Sequence, residues 1–541
     1  MSCDILYTWK QRVNTACQVL TRVVYFWQIS LGGSVRLYSR ANRRMNIKQM
    51  LEKTASEVSQ KEVIVLGSQR ITYGELNEVS NKTANALVEL GVEKGDHVAI
   101  LMSHSPEWVI NYFGVIKAGG VAILLSSMLK APELNSLLRD SDAKILLTEN
   151  KFSQMLSAVL PGIPLLRQVL EVEGDSYKIM VAGSSAASPD VDIDDEDEAT
   201  IIYTSGVLGK QKGVVHTHAS LLGTPDIVSA GIRRGREDVV IDPVSFFYLL
   251  GLSEVLFGSI IKGSTVVIIP HFTPRAVLEA IERERGSILF GVPAMHNALA
   301  MLRDEVVKSY DLSSLRVVST AGAKSSPRLM RMLEDKFNLT LCETYGLSEL
   351  SVVSMSTLDN HKLGTVGKSI CDLKVIDDGG KEVTQGEIGE AVFKVPWVMK
   401  EYYKATELTA QVLKDGWFHT GDLVRMDEDG YLEYVEKKSF IIVTSSGLKI
   451  SPWEVEEVLL RHPGVAEAAY VGVKDAQGGQ IPTAFIVLKE GQSVTAEELA
   501  SFCCQNLADF KLPKKFEFVG SIPKTGSGKI DRQRLKGGMQ I

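Results

Sequence analysis

The chain has 541 residues, 45% of them hydrophobic and 23% charged, with a net charge of −7 at neutral pH. That length exceeds the span over which one hydrophobic core keeps growing, so two or more lobes are expected, and the ordinary composition excludes bulk disorder. The acidic balance argues against nucleic acid as the main partner, because a duplex-binding domain carries a basic surplus.

Up to Lys48 there are eight basic residues (Lys10, Arg12, Arg22, Arg36, Arg40, Arg43, Arg44, Lys48) against one acid, Asp4. A transit peptide has such a balance; a signal peptide also starts basic, but Arg22 and Gln28 interrupt the apolar patch at Val23–Ser34 that would be its core. The reading preferred is that residues 1–44 are an extension outside the fold, with Met45 the functional start. From Asn46 onward, short Val/Ile runs alternate with amphipathic stretches. Val98–Met102, Val121–Leu125 and Ile145–Thr148 read as buried strands, Tyr73–Leu90 and Ala131–Asp140 as helices. This alternation predicts parallel sheets covered by helices. The acidic run Asp190–Glu198 reads as a solvated linker. A second alternating set has strands at Thr265–Pro270, Ser287–Val292 and Leu315–Ala321. Leu373–Asp377, Glu390–Val395 and Leu432–Val435 then suggest a small β-rich subdomain. After Lys438 an α+β lobe is expected, with helices at Glu454–Arg461 and Ala496–Asn506 and strands at Val465–Lys474 and Thr483–Leu488. The six cysteines show neither a CxxC pair nor a zinc spacing, which fits a reducing, cytoplasmic setting. No stretch is long and apolar enough for a confident membrane span.

Residues 203–213, Tyr-Thr-Ser-Gly-Val-Leu-Gly-Lys-Gln-Lys-Gly, leave a β-prone run for a loop suited to phosphate. Gly206, Gly209 and Gly213 let backbone N–H groups approach an anion, while Thr204, Ser205 and Lys212 add hydroxyl and ammonium donors. It is not a Walker A loop, since Gln211 stands where the second glycine is required. Gly367-Lys368-Ser369 fails the same pattern, with Lys362 at the leading position. A glycine-rich surface turn would look similar in isolation.

Four further segments follow: Thr344-Tyr345-Gly346-Leu347-Ser348-Glu349, Gly416-Trp417-Phe418-His419-Thr420-Gly421-Asp422, Ser446-Gly447-Leu448-Lys449-Ile450-Ser451-Pro452, and Pro523-Lys524-Thr525-Gly526-Ser527-Gly528-Lys529-Ile530. In order and spacing, the five segments resemble the adenylate-forming superfamily of acyl-CoA synthetases, coumarate-CoA ligases, firefly luciferase and peptide-synthetase adenylation domains. The resemblance spans about residues 50–537. It implies an α/β fold with a large N-terminal domain, residues 45–438, of two parallel-rich sheets with helices plus a small β-rich subdomain. A small mobile α+β domain, residues 439–541, would carry the lysine loop. The implied reaction joins a carboxylate to ATP, giving acyl-adenylate and pyrophosphate, and then passes the acyl group to the thiol of CoA.

The same resemblance implies roles for particular residues. Glu349 would hold Mg²⁺ beside the phosphates, the alternative being a helix-start glutamate. Thr344, Tyr345, Gly346 and Ser348, with the Gly322-Ala323 turn, would enclose the nucleotide. Asp422 would accept from both ribose hydroxyls, although Thr420-Gly421-Asp422 also suits a local turn. Lys529 would reach the carboxylate and α-phosphate during adenylation. Gly447 and Lys449 belong to a loop that replaces Lys529 in the thiol step, with Ser439-Phe440 at the hinge. Three departures stand out. Val207, Leu208 and Gln211 replace the usual hydroxyl and proline residues of the phosphate loop. Counting back from Gly447 puts Lys438 where an arginine usually contacts the nucleotide, and Phe440 where a polar hinge residue is usual. Tyr248 stands where histidine is common, so a pocket at Tyr248, Gly251, Ala323 and Gly346 would take an apolar or aromatic acid. The reading is an AMP-forming acyl-CoA synthetase. The rivals are a ligase that loads a carrier protein and a catalytically impaired binding homologue.

Overall fold

Two stacked sets of β-branched runs build the large lobe, and each buries the strands that the sequence marks as apolar on both faces. The computed structural model describes residues 45–204, 211–443, 449–474, 480–525 and 529–537. The first sheet has seven strands, in the spatial order Glu401–Tyr402, Lys212–Thr217, Glu198–Thr204, Val121–Leu125, His97–Leu101, Ile145–Thr148 and Gln168–Glu171. From Glu198–Thr204 to Gln168–Glu171 all pairings are parallel. Val121–Leu125 is buried at every position, as a strand sandwiched between helical layers must be. Helix Pro106–Lys117 packs on it, and helix Tyr73–Glu89 packs on that helix; Ser105 caps Pro106–Lys117 by accepting from the Trp108 N–H.

The second sheet has nine strands: Lys368–Ser369, Ser351–Met355, Thr340–Leu347, Val317–Thr320, Ile288–Gly291, Val239–Asp242, Thr265–Ile268, Glu62–Leu66 and Gln69–Thr72. The strand expected at Thr265–Pro270 stops at Ile268, two residues before a proline that has no N–H to donate to a ladder. Gly367 has φ +79°, and a Cβ there would lie 1.9 Å from the Met355 carbonyl carbon. Close strand crossing, not phosphate, accounts for the glycine of the Gly367-Lys368-Ser369 decoy. One element had no sequence signal. Leu250–Phe257 winds as a wide helix with i→i+5 turns, and the buried Arg234 donates to its Glu254 and Val255 carbonyls at 2.8 and 3.4 Å.

The β-rich subdomain is an antiparallel sheet of Asp372–Ile376, Ile388–Lys394, Trp417–Met426, Leu413–Lys414 and Leu432–Lys437. Beyond it, the small lobe packs helices Pro452–Arg461, Ala496–Asn506 and Arg532–Lys536 on a three-stranded sheet of Val465–Lys474, Gln480–Leu488 and Lys515–Phe518. A short hairpin, Ile442–Val443 with Lys449–Ile450, begins that lobe. The expected linker at Asp190–Glu198 is irregular up to Asp197, and its charges are paired outward: Asp197 with Lys94 at 2.6 Å and Glu198 with Lys400 at 2.7 Å. Among the described residues, no helix is long and apolar enough to cross a membrane.

Candidate active site

The loop at 203–213 joins two antiparallel strands of the first sheet, pairing Tyr203 with Gly213 and Thr204 with Lys212. Lys212 opens the strand Lys212–Thr217, whose neighbour Glu401–Tyr402 pairs Tyr402 with Val214. Lys212 and Tyr402 are therefore diagonal neighbours on one face. They meet there: the Lys212 ammonium lies 2.6 Å from the Tyr402 hydroxyl and 4.1 Å from the centre of its ring. Both groups donate to Glu349 Oε1, Lys212 at 2.9 Å and Tyr402 at 2.5 Å.

Glu349 is not at a helix start. It occupies the turn between strands Thr340–Leu347 and Ser351–Met355, where the Met399 N–H donates to its carbonyl at 2.8 Å. The neighbouring Ser348 carbonyl is 2.7 Å from His216 Nε2, two residues along the face that also carries Val214. Burial alone would raise the Glu349 pKa; Lys212 and then Tyr402 more than offset it and hold the carboxyl below its ordinary range. The result is an ionised, nearly buried oxygen donor. Burial lowers the His216 pKa to about 4, so its imidazole is neutral and donates from Nε2.

Tyr345, four residues before Glu349, crosses to the β-rich subdomain and donates to Asp422 Oδ2 at 2.8 Å. The other Asp422 oxygen is 3.0 Å from the Lys437 ammonium, which also donates to the Thr420 carbonyl at 3.1 Å. The local turn is closed by Thr420, whose hydroxyl accepts from the Asp422 N–H at 3.0 Å, leaving the carboxylate to these outer partners. Strand register explains the arrangement, because Asp422 stands opposite Lys437. Lys438 follows by one residue and turns away, to Asp378 at 2.9 Å and Glu390 at 3.1 Å. The cation beside Asp422 is thus Lys437, while Lys438, which counting back from Gly447 matches to a nucleotide-contacting arginine, is engaged by these two carboxylates. That count runs through residues 444–448, which lie outside the described residues.

Lys529 arrives from the small lobe. Its loop closes through a 2.7 Å bond from the Thr525 N–H to the Lys529 carbonyl. Burial around the ammonium lowers its pKa, and the group lies within electrostatic reach of Asp422, Lys437 and Glu349. Three ammonium groups, Lys212, Lys437 and Lys529, therefore face two carboxylates in one cleft between the lobes. Thr204, at the mouth of the loop, has a buried hydroxyl oxygen with no partner among the described residues. A surplus of cations with a waiting hydroxyl suits a polyanion.

The remaining sequence-predicted positions are distributed around this cleft. Gly322 and Ala323 form an exposed turn after strand Val317–Thr320, Gly346 is exposed, and the Thr344 hydroxyl reaches the Thr320 carbonyl at 3.4 Å. Tyr248 is half-buried against the main core, its ring centre 4.1 Å from that of Phe247. Gly251 is the second residue of the wide helix, and a Cβ there would sit 2.5 Å from the Ser245 carbonyl oxygen. The space of its missing side chain is filled by backbone. Ser205, Gly206, Gly209 and Gly447 lie outside the described residues, and the Lys449 backbone pairs with Val443. Sequence reasoning missed Tyr402, Lys437 and His216. Tyr402 carries no local signal, since only sheet pairing brings it to Glu349.

Residues 51–403 match the family described as AMP-binding enzyme, and residues 454–529 match the AMP-binding enzyme C-terminal domain. A feruloyl-CoA synthase of an Amycolatopsis species is 33% identical over 470 residues, covering 86% of this chain and 93% of that protein. A long-chain-fatty-acid–CoA ligase of Mycobacterium tuberculosis is 31% identical over 473 residues, with the same coverage, 86% and 93%. Among solved structures, an anthranilate CoA ligase in complex with anthranoyl-AMP superposes with a TM-score of 0.84 at 27% identity, over 91% of this chain and 97% of that one. ATP-bound MatB from Rhodopseudomonas palustris also gives 0.84 at 27% identity, over 91% and 99%. With both lobes matched, the chain belongs to the AMP-binding enzyme family.

Proposed function

We propose that the protein is an AMP-forming acid–CoA ligase that activates an apolar or aromatic carboxylic acid as its acyl-adenylate and transfers the acyl group to CoA. The observation that carries this reading is the convergence of the Lys212–Glu349 pair, the Tyr345–Asp422–Lys437 cluster and Lys529 in one cleft. Relatives named for acids as different as ferulate and long-chain fatty acids support the reaction class and leave the acid to the pocket.

In the first half-reaction an oxygen of the substrate carboxylate attacks the α-phosphorus of ATP and pyrophosphate leaves. In this reading Lys212 and the hydroxyl of Thr204 would receive the departing phosphates, and Lys529 would hold the carboxylate and α-phosphate oxygens together. Asp422, oriented by Tyr345 and Lys437, has a carboxylate suited to the paired ribose hydroxyls. In the second half-reaction the CoA sulfur attacks the adenylate carbonyl and AMP leaves. Mg²⁺ would be held by Glu349, an ionised hard-oxygen donor; among the described residues no cluster of three acidic, histidine or cysteine side chains could cage an ion. One carboxylate shared with substrate phosphates is the usual Mg²⁺ arrangement, and the ion would supply charge neutralisation at the phosphates.

Tyr248 is assigned to the acid pocket, where its ring and the neighbouring Phe247 favour apolar contacts. We place the lobe boundary at the tight turn Lys438–Phe440, after residue 438. Cys342, Cys371, Cys503 and Cys504 are free thiols, which supports a cytoplasmic setting. The test is pyrophosphate release with ATP and a panel of aliphatic and aromatic acids, with and without CoA, followed by mass spectrometry of CoA esters. Release that needs an acid, and an ester that needs CoA, are expected. Adenylate without CoA ester would point to a carrier protein as acceptor, and no release with any acid would overturn the reading.

A further inference from the structure

Arg532 opens the last helix of the small lobe, three residues after Lys529, and is almost wholly buried. Within its own lobe it is saturated on one edge by Glu456: Nη1 contacts Oε1, and Nη2 donates to Oε2 at 2.9 Å. Nη1 also donates to the Tyr470 carbonyl at 3.2 Å, while the Tyr470 N–H donates back to Glu456 at 2.6 Å. This bidentate arrangement travels with the small lobe as one rigid unit. Across the joint, Arg532 Nη2 lies 3.7 Å from Oε2 of Glu436, a 5%-exposed carboxylate on the large lobe's strand Leu432–Lys437. The backbone of Trp453, also in the small lobe, hydrogen-bonds Glu436 as well.

Phe440, in the turn that joins the lobes, lies under these charges, with its ring centre 5.6 Å from the Arg532 guanidinium and 5.9 Å from the Lys536 ammonium. An aromatic ring at the joint is therefore a cation platform for the last helix. Glu436 also precedes Lys437, the residue bound to Asp422, so one strand end connects the joint to the nucleotide side of the cleft. Its own lobe supplies Glu436 the Lys437 N–H at 2.9 Å, whereas its cationic partner comes from the other lobe, so the charge pair holds only while the lobes keep this orientation. In this orientation Lys529 reaches Asp422 and Glu349.

We propose that Glu436 is a positioning residue that docks the small lobe for adenylation, holding Arg532 and, through it, the loop that carries Lys529. The inference rests on the ligase reading above and adds to it a specific interlobe clasp. Glu436→Gln keeps the shape of the side chain and removes the charge. Its ATP–pyrophosphate exchange should fall on the order of tenfold relative to thiolysis of supplied acyl-adenylate, the scale of a typical coupling between two states. Glu436→Asp, which keeps the charge, should recover part of that ratio. Hydrogen–deuterium exchange over residues 438–442 should rise in Glu436→Gln without any substrate present. Parallel loss of both half-reactions, or an unaltered ratio with unaltered hydrogen exchange, would overturn the clasp. If wild type gives no pyrophosphate exchange with any acid, the ligase reading fails, and the hydrogen-exchange comparison still decides whether Glu436 holds the joint.

Discussion

Lys212 and Tyr402, 190 residues apart, donate to the same oxygen of Glu349. An ionised carboxylate in a nearly buried site depends on that pairing, because its desolvation is offset only by the partners around it. Lys212→Met should lower adenylation by about a hundredfold or more, as expected for loss of a preorganised cation at developing phosphate charge. Single-turnover formation of acyl-adenylate is the measurement, and a change of less than fivefold would remove Lys212 from the phosphate site.

Tyr402→Phe is a milder probe with a pH signature. The phenol stabilises the charged form of Glu349, so its removal lets burial push the Glu349 pKa upward. The acid limb of the kcat/KM profile for adenylation should then move to higher pH, with little change on the alkaline side. Stability follows the same sign. Glu349 titrates below its unfolded value in the native protein, so its contribution is present above that value and lost as pH falls; the mutant should lose about 1 kcal/mol of this near neutrality. An acid limb that stays in place would show that Glu349 does not govern it.

Lys437 and Lys438 separate by function. Lys437→Met removes a partner of Asp422 and should raise the KM for ATP about tenfold, a loss of roughly 1.4 kcal/mol. Lys438→Met removes the pairs of a solvent-accessible ammonium with Asp378 and Glu390 and should change it less than twofold. The reverse ranking would mean that Lys438 turns inward when nucleotide binds.

Lys529→Ala should abolish adenylation while leaving thiolysis of supplied acyl-adenylate largely intact, because the ammonium serves the carboxylate and α-phosphate before the thiol arrives. The two half-reactions should be assayed separately. Equal loss of both would show that the lysine is not specific to the first step.

His216 and His218 are buried, and burial lowers both pKa values from 6.5 to about 4. The unfolded chain therefore binds more protons between those limits, and stability is lost as pH falls through that window by about 1.4 kcal/mol per pH unit for each histidine. His216→Gln preserves a donor for the Ser348 carbonyl and should reduce the slope of stability against pH by about one proton. Denaturant unfolding at pH 5 and pH 7.5 compares them. Equal slopes in mutant and wild type would mean His216 is not neutral in the folded state.

Much of this protein is legible along the chain. Val121–Leu125 and Val465–Lys474 are legible as strands because burial on both faces leaves a local apolar run. Family membership followed from five short segments in order, since each supplies its own chemistry through residue types and spacing. Lys212, Tyr345, Glu349, Asp422 and Lys529 were nameable without coordinates, and the fold brings them together. What the chain order could not decide is which neighbour faces the cleft. In a strand, a shift of one residue turns a side chain to the opposite face, so Lys437 rather than Lys438 meets Asp422 only through cross-strand register. Tyr402 beside Lys212 and Arg532 beside Glu436 likewise rest on sheet pairing and lobe packing between distant segments, where the energies are those of buried charges that no local pattern encodes.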